Sequence, residues 1–101
     1  MIARAWRGRT PVAKSSAYAD YLNRTGVRDC RATEGNRGVT LLRRRNGDTA
    51  EFLFISFWES EEAIRRFAGD DWEKAVYYPQ DEAFLLELEP TVAHYEVISE
   101  K

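Results

Sequence analysis

The sequence predicts an α+β domain of ferredoxin-like type, with a four-stranded antiparallel sheet and its elements in the order βαββαβ. Three observations carry this expectation. An Asn-Gly pair separates two strand-like runs; a helix-periodic stretch lies on either side of that hairpin; and strand-like segments open and close the chain. At 101 residues the chain has the length of one domain, spanning 1–101.

The elements follow in order. Ile2 to Gly8 reads as the first strand. Thr10-Pro11 reads as an N-cap followed by proline at the first helical position. The helix behind it places Tyr18, Tyr21, Leu22 and Thr25 on one side, and Gly26 is its expected stop. Asn46-Gly47 suits a two-residue type I′ turn, whose twist matches that of paired strands. That loop would set Arg45 opposite Asp48, Leu41 opposite Phe52 and Val39 opposite Phe54. One face of the hairpin then carries Val39, Leu41, Phe52, Phe54 and Trp58, and the other carries Thr40, Leu42, Leu53, Ile55 and Phe57.

Ser60 caps a second helix whose Ala63, Ile64, Phe67 and Ala68 form an apolar stripe ended by Gly69. Asp70 or Asp71 opens a further short turn carrying Trp72, Ala75 and Val76. Residues 78–89 show no decisive pattern. Val92 to Ile98 reads as the closing strand, preceded by Pro90, which has no place inside a central strand.

A hairpin with one wet face should alternate apolar and polar residues, and this one is apolar on both sides. Helices on one side of the sheet leave the other side bare. Buried apolar area is worth about 25 cal/mol per Å², so a second copy stacked sheet to sheet is the expected cover. The expected assembly is a homodimer.

Composition narrows the function classes. The chain is 44% hydrophobic and 32% charged, the balance of a folded soluble domain. No run is long enough to span a membrane, and charges near the N-terminus replace the apolar stretch a signal peptide needs. A cytoplasmic protein is expected. One cysteine and one histidine exclude an internal disulfide and multi-His or multi-Cys metal sites, so no metal is expected. Residues 1–50 carry a net charge of +7 and residues 51–101 one of −9. With an overall −2, the chain is a poor candidate for nucleic-acid binding, and its two halves should attract one another. Gly35-Asn36-Arg37-Gly38 precedes a strand rather than a helix and reads as a turn, not a phosphate loop. Cys30 has no activating neighbour in sequence and reads as inert.

The run Phe57-Trp58-Glu59-Ser60-Glu61-Glu62-Ala63, with the hairpin before it, Lys74-Ala75-Val76-Tyr77 after it and His94-Tyr95-Glu96-Val97 at the end, resembles the antibiotic biosynthesis monooxygenase domain. The resemblance implies a dimeric α+β barrel with a small pocket between sheet and helices in each subunit. The family includes cofactor-independent oxygenases of aromatic or quinol substrates, haem-degrading enzymes, and many members for which no activity follows from sequence. The haem-degrading members are similar in the tryptophan-to-helix passage. They carry a ligating histidine where this chain has Tyr77, an aromatic residue, usually tryptophan, where it has Phe67, and an asparagine near the position of Trp6. With two of those three groups missing, no cofactor is expected.

Cofactor-free oxygenation needs a base with a pKa near neutrality, and His94 is the one side chain that has it unperturbed. Tyr77 is the second catalytic candidate, through its phenol. Trp6, Tyr18, Trp58, Phe67 and Trp72 are the candidate walls of an aromatic pocket. The expected function is a cofactor-independent monooxygenase of a small aromatic or phenolic metabolite. The alternative is a non-catalytic dimeric module that binds a small hydrophobic ligand.

Overall fold

In the computed structural model, which describes residues 1–100, ten strand residues Ile2–Pro11 form β1, and the chain then turns into an almost continuous helical arm. A single 3₁₀ turn (Val12–Lys14) leads into α1 (Ser15–Leu22), a π-helical turn (Asn23–Val27) and α2 (Arg28–Ala32). Strands β2 (Asn36–Asn46) and β3 (Thr49–Trp58) make the hairpin, followed by α3 (Glu61–Ala68), the one-turn α4 (Asp81–Phe84) and β4 (Ala93–Glu96). The sheet order is β2-β3-β1-β4, antiparallel throughout. This is the ferredoxin-like arrangement.

Thr10 and Pro11 do not start a helix. Both remain in β1, paired with Ala50 and Thr49. Proline at the end of a strand sacrifices no interior ladder bond, which is why pairing outcompetes the cap. Gly26 likewise does not stop the first helix, which runs on to Ala32. A Cβ at Gly26 would lie 3.2 Å from the Phe54 ring, so the glycine lets the helical arm lie close against β3. That packing offsets the roughly 1 kcal/mol glycine costs inside a helix.

The hairpin turns at Gly47-Asp48 instead of Asn46-Gly47, pairing Asn46 with Thr49, Leu41 with Phe54 and Val39 with Ser56. Gly47 has φ +63° and Asp48 has a negative φ, the pattern of a type II′ turn with glycine at its first central position. The partners slip by two residues relative to the I′ expectation. Because side chains alternate with period two, both face assignments survive.

Elsewhere the sequence expectations need only trimming. Ser60 caps α3, its Oγ accepting from the amide of Ala63 at 3.1 Å, and Gly69 follows at φ +85°. The Asp70–Lys74 stretch is a turn, after which Lys74 bridges to Thr91. The closing strand is limited to Ala93–Glu96.

Both α1–α2 and α3 cover one face of the sheet. Tyr18, Tyr21, Leu22, Val27, Cys30, Ala63 and Ile64 pack there against Ala50, Phe52, Phe54 and Trp58. The other face, with Ala3, Ala5, Leu53, Ile55 and Phe57, has no helix over it, and Leu42 stands half exposed on it. Arg9–Glu87, Arg37–Glu59 and Arg44–Glu51 ion pairs join the basic and acidic halves of the chain within the subunit. Among the described residues no helix is long and apolar enough to cross a membrane.

Candidate functional site

The helix-covered face of β1 carries Arg4, Trp6, Gly8 and Thr10 in alternation. Opposite them the irregular passage 75–78 and α4 close over the sheet, tied down by a buried polar knot. Tyr18 Oη donates to Asp81 Oδ1 at 2.8 Å, and Asp81 Oδ2 accepts from the amide of Tyr78 at 2.6 Å. Tyr21 Oη accepts from the amide of Gln80, and Tyr78 Oη donates to Asp29 Oδ2 at 2.6 Å. Asp81 is 3% exposed, and these two donors replace the water it gives up.

Between sheet, helical arm and this closing segment lies a narrow cavity. It leaves about 50 Å³ open to the centre of a water-sized sphere, enough for a few waters. Its walls are aromatic on several sides (Trp6, Tyr18, Phe54, Phe67, Tyr77), with Arg4, Cys30, Ser56 and Asp81 as the polar groups. Trp6 lies along its own strand because position 8 is glycine: a Cβ there would meet the indole Cη2 at 2.2 Å. The indole Nε1 donates to Tyr77 Oη at 3.1 Å, and Tyr77 Oη in turn donates to the carbonyl of Glu89 at 2.6 Å. Burial raises the pKa of Tyr77. Burial, then the Asp81 carboxylate, raises that of Tyr18 further, so both phenols are neutral donors in the physiological range.

Three of the five aromatic residues expected in the pocket, Trp6, Tyr18 and Phe67, are in its wall. Trp58 stands one layer deeper, fully buried, with Phe67 stacked on it at 5.9 Å and its Nε1 donating to Ser56 Oγ at 2.8 Å. Trp72 lies outside the cavity lining and stacks on His94, ring centroids 4.1 Å apart, with Arg65 on the indole at 5.8 Å. Tyr77 reaches the cavity and His94 does not line it. The imidazole sits on β4 opposite Arg4, and its Nε2 is 3.1 Å from Arg4 Nη1. Arginine can only donate, so Nε2 is the acceptor and the ring is neutral. Burial and the Arg4 charge push the His94 pKa down to about 4.

Arg4 and Asp81 are the site residues that the sequence reading missed. Arg4 had a visible signal, since it is two residues from Trp6 on the same strand and shares its face. Asp81 had none, because it lies in the stretch without a periodic pattern. Cys30, 1% exposed beside Arg4 and Ser56, has a thiol pushed up to about 12 by burial and stays protonated. Among the described residues no group of three His, Cys, Asp or Glu side chains is placed to hold a metal ion.

The model of the family described as antibiotic biosynthesis monooxygenase matches residues 9–76. Among solved structures, the chain is similar to a candidate antibiotic biosynthesis monooxygenase from Bacillus cereus, with TM-score 0.70 and 19% identity, covering 100% of this chain and 94% of that one. A second candidate of that kind, from Nitrosomonas europaea, superposes with TM-score 0.69 at 12% identity, covering 98% and 100%. The haem degrader MhuD from Mycobacterium tuberculosis, solved with two haems in its active site, gives TM-score 0.61 at 15% identity over 100% and 99%. At these identities the likeness carries the fold alone. No curated protein matches the chain.

Proposed function

Since the chain belongs to the antibiotic biosynthesis monooxygenase family, we propose that it is a homodimer whose subunits each take a small planar aromatic or phenolic molecule into the cavity between sheet and helices, for oxygenation by dioxygen without a bound cofactor. The observation that carries this reading is the cavity itself, where aromatic walls converge with Arg4, Tyr77 and Asp81. A few orienting polar groups in an apolar cleft is the usual make-up of a small-molecule site. The substrate would supply the electrons and dioxygen would accept them, so the protein has to bind, orient, exclude water and take a proton.

Haem does not fit the residues present. Tyr77 Oη is held between Trp6 and the Glu89 carbonyl, His94 Nε2 faces Arg4, and Cys30 is a protonated thiol. A neutral phenol, an imidazole Nε2 engaged with Arg4 and a protonated thiol are not the phenolate, free imidazole nitrogen or thiolate that haem iron takes. The proton-accepting role is proposed for His94, assisted by Tyr77. It requires the imidazole to leave Arg4, and the cavity to widen beyond its present few-water volume, when substrate enters.

A specific observation favours the second reading, a binding module without catalysis. With its pKa near 4 and its lone pair already engaged, His94 is a weak base. Oxygen uptake separates the two readings. Phenolic and quinol substrates are offered under air to the wild type, His94→Ala and Tyr77→Phe. Turnover by the wild type with a loss of ~10²-fold or more in His94→Ala supports the enzyme. Saturable binding of the same compounds with no uptake supports the binding module.

A further inference from the structure

Arg4 is 4% exposed and lines the cavity, yet every protein acceptor it meets is neutral. Its Nη1 donates to the Trp72 carbonyl and to His94 Nε2, and its Nη2 donates to the Lys74 carbonyl at 3.0 Å. Among the described residues it has no carboxylate within ion-pair distance. The cavity's other ionisable groups do not answer the charge. Asp81 is taken up by Tyr18 and the Tyr78 amide, the Cys30 thiol is neutral, and the Tyr77 phenol is neutral and donates to the Glu89 carbonyl.

Tying two carbonyls to a strand needs only a neutral amide. A buried charge without a counter-charge is costly, and a protein that keeps one normally sets an opposite charge against it. A guanidinium has five N–H donors, and three are used. Resting on the cavity as the ligand site, we propose that Arg4 makes it an anion site: the ligand is a planar aromatic bearing an acidic oxygen, bound as its phenolate, enolate or carboxylate on the remaining Arg4 donors. The same contact favours the deprotonated form of a phenolic substrate, which is the form able to give an electron to dioxygen. Burial lowers the Arg4 pKa only to about 10, so the side chain stays charged at neutral pH.

The test compares ligands that differ in charge and little in shape. 2-Naphthoate and 2-naphthamide are titrated into wild type, Arg4→Met and Arg4→Lys, followed by tryptophan fluorescence and calorimetry. The wild type should bind the carboxylate at least ~10-fold tighter than the amide, about 1.4 kcal/mol. Arg4→Met should bind the two within ~2-fold, and Arg4→Lys should keep part of the preference. A third arm uses the wild type alone, with 4-nitrophenol across its ionisation near neutral pH, where Arg4 stays charged, and affinity should rise as the phenol deprotonates. That arm decides the matter even if Arg4→Met does not fold. Equal wild-type affinity for carboxylate and amide, or a preference unchanged in Arg4→Met, overturns the anion site while leaving the cavity as a ligand site. Binding of none of the three compounds overturns the cavity reading and this inference with it.

Discussion

His94 Nε2 accepts from Arg4 Nη1 across adjacent strands at 3.1 Å, which places a neutral imidazole behind the one buried guanidinium of the described site. Trp72 stacks on the outer face of that imidazole. The group with the most catalytic promise in the sequence is therefore engaged in holding another residue.

The first prediction is a titration. Burial and Arg4 lower the His94 pKa to about 4, against a small opposing pull from Glu61. In the window between about 4 and the unfolded value near 6.5, the unfolded chain binds the extra proton. This contribution to stability is therefore complete above about 6.5 and is lost as pH falls toward 4. Proton NMR of the single histidine should give an apparent pKa well below 6, and His94→Gln should flatten the stability–pH curve over that range. A midpoint at 6.5 would show that the imidazole is solvated and free of Arg4.

Tyr18→Phe removes the hydroxyl that donates to Asp81 Oδ1 at 2.8 Å and leaves that oxygen without its side-chain donor. Leaving a buried acceptor unsatisfied costs about 1–3 kcal/mol. Chemical denaturation should show a loss in that range with the m-value unchanged. A neutral result would mean that water replaces the phenol at no cost.

Gly8→Ala tests the placement of Trp6. The added Cβ would meet the indole at 2.2 Å, so the ring has to move, breaking its hydrogen bond to Tyr77. Overpacking of this kind costs about 1–3 kcal/mol. The variant should also lose affinity for aromatic ligands, measured by the same fluorescence titration. Unchanged affinity would remove Trp6 from the cavity wall.

The open sheet face leads to an expected dimer of roughly 23 kDa, twice the 11.7 kDa chain mass, burying at least ~1,200 Å². Sedimentation equilibrium at micromolar concentration measures it. Ile55→Asp, placed in the middle of that face, should shift the population to monomer. A wild-type monomer would leave the face without the proposed cover.

Haemin titration followed at the Soret band should show no saturable 1:1 transition below ~1 µM, a benchmark of about −8 kcal/mol. Such a transition would mean that Tyr77 or His94 releases its present partner to bind iron.

Local signals in the sequence were enough for the four strands, α3 and the two faces of the hairpin. Ser60 and Gly69 bound a helix, Gly47 marks the hairpin, and the alternation along Phe52, Phe54, Ser56 and Trp58 defines the inner side of β3. These features depend on residues close together in the chain, and period-two alternation tolerates the two-residue slip in the hairpin. The continuation of the helical arm past Gly26 was decided by tertiary packing, because its reason is the Phe54 ring on a distant strand. The same holds for the site. Asp81 meets Tyr18 across 63 positions, and Arg4 meets His94 across 90. No local pattern encodes such contacts, since only the closing of the sheet brings the chain's two ends onto neighbouring strands. That closure assigned His94 to Arg4 and placed Arg4, not His94, in the cavity wall.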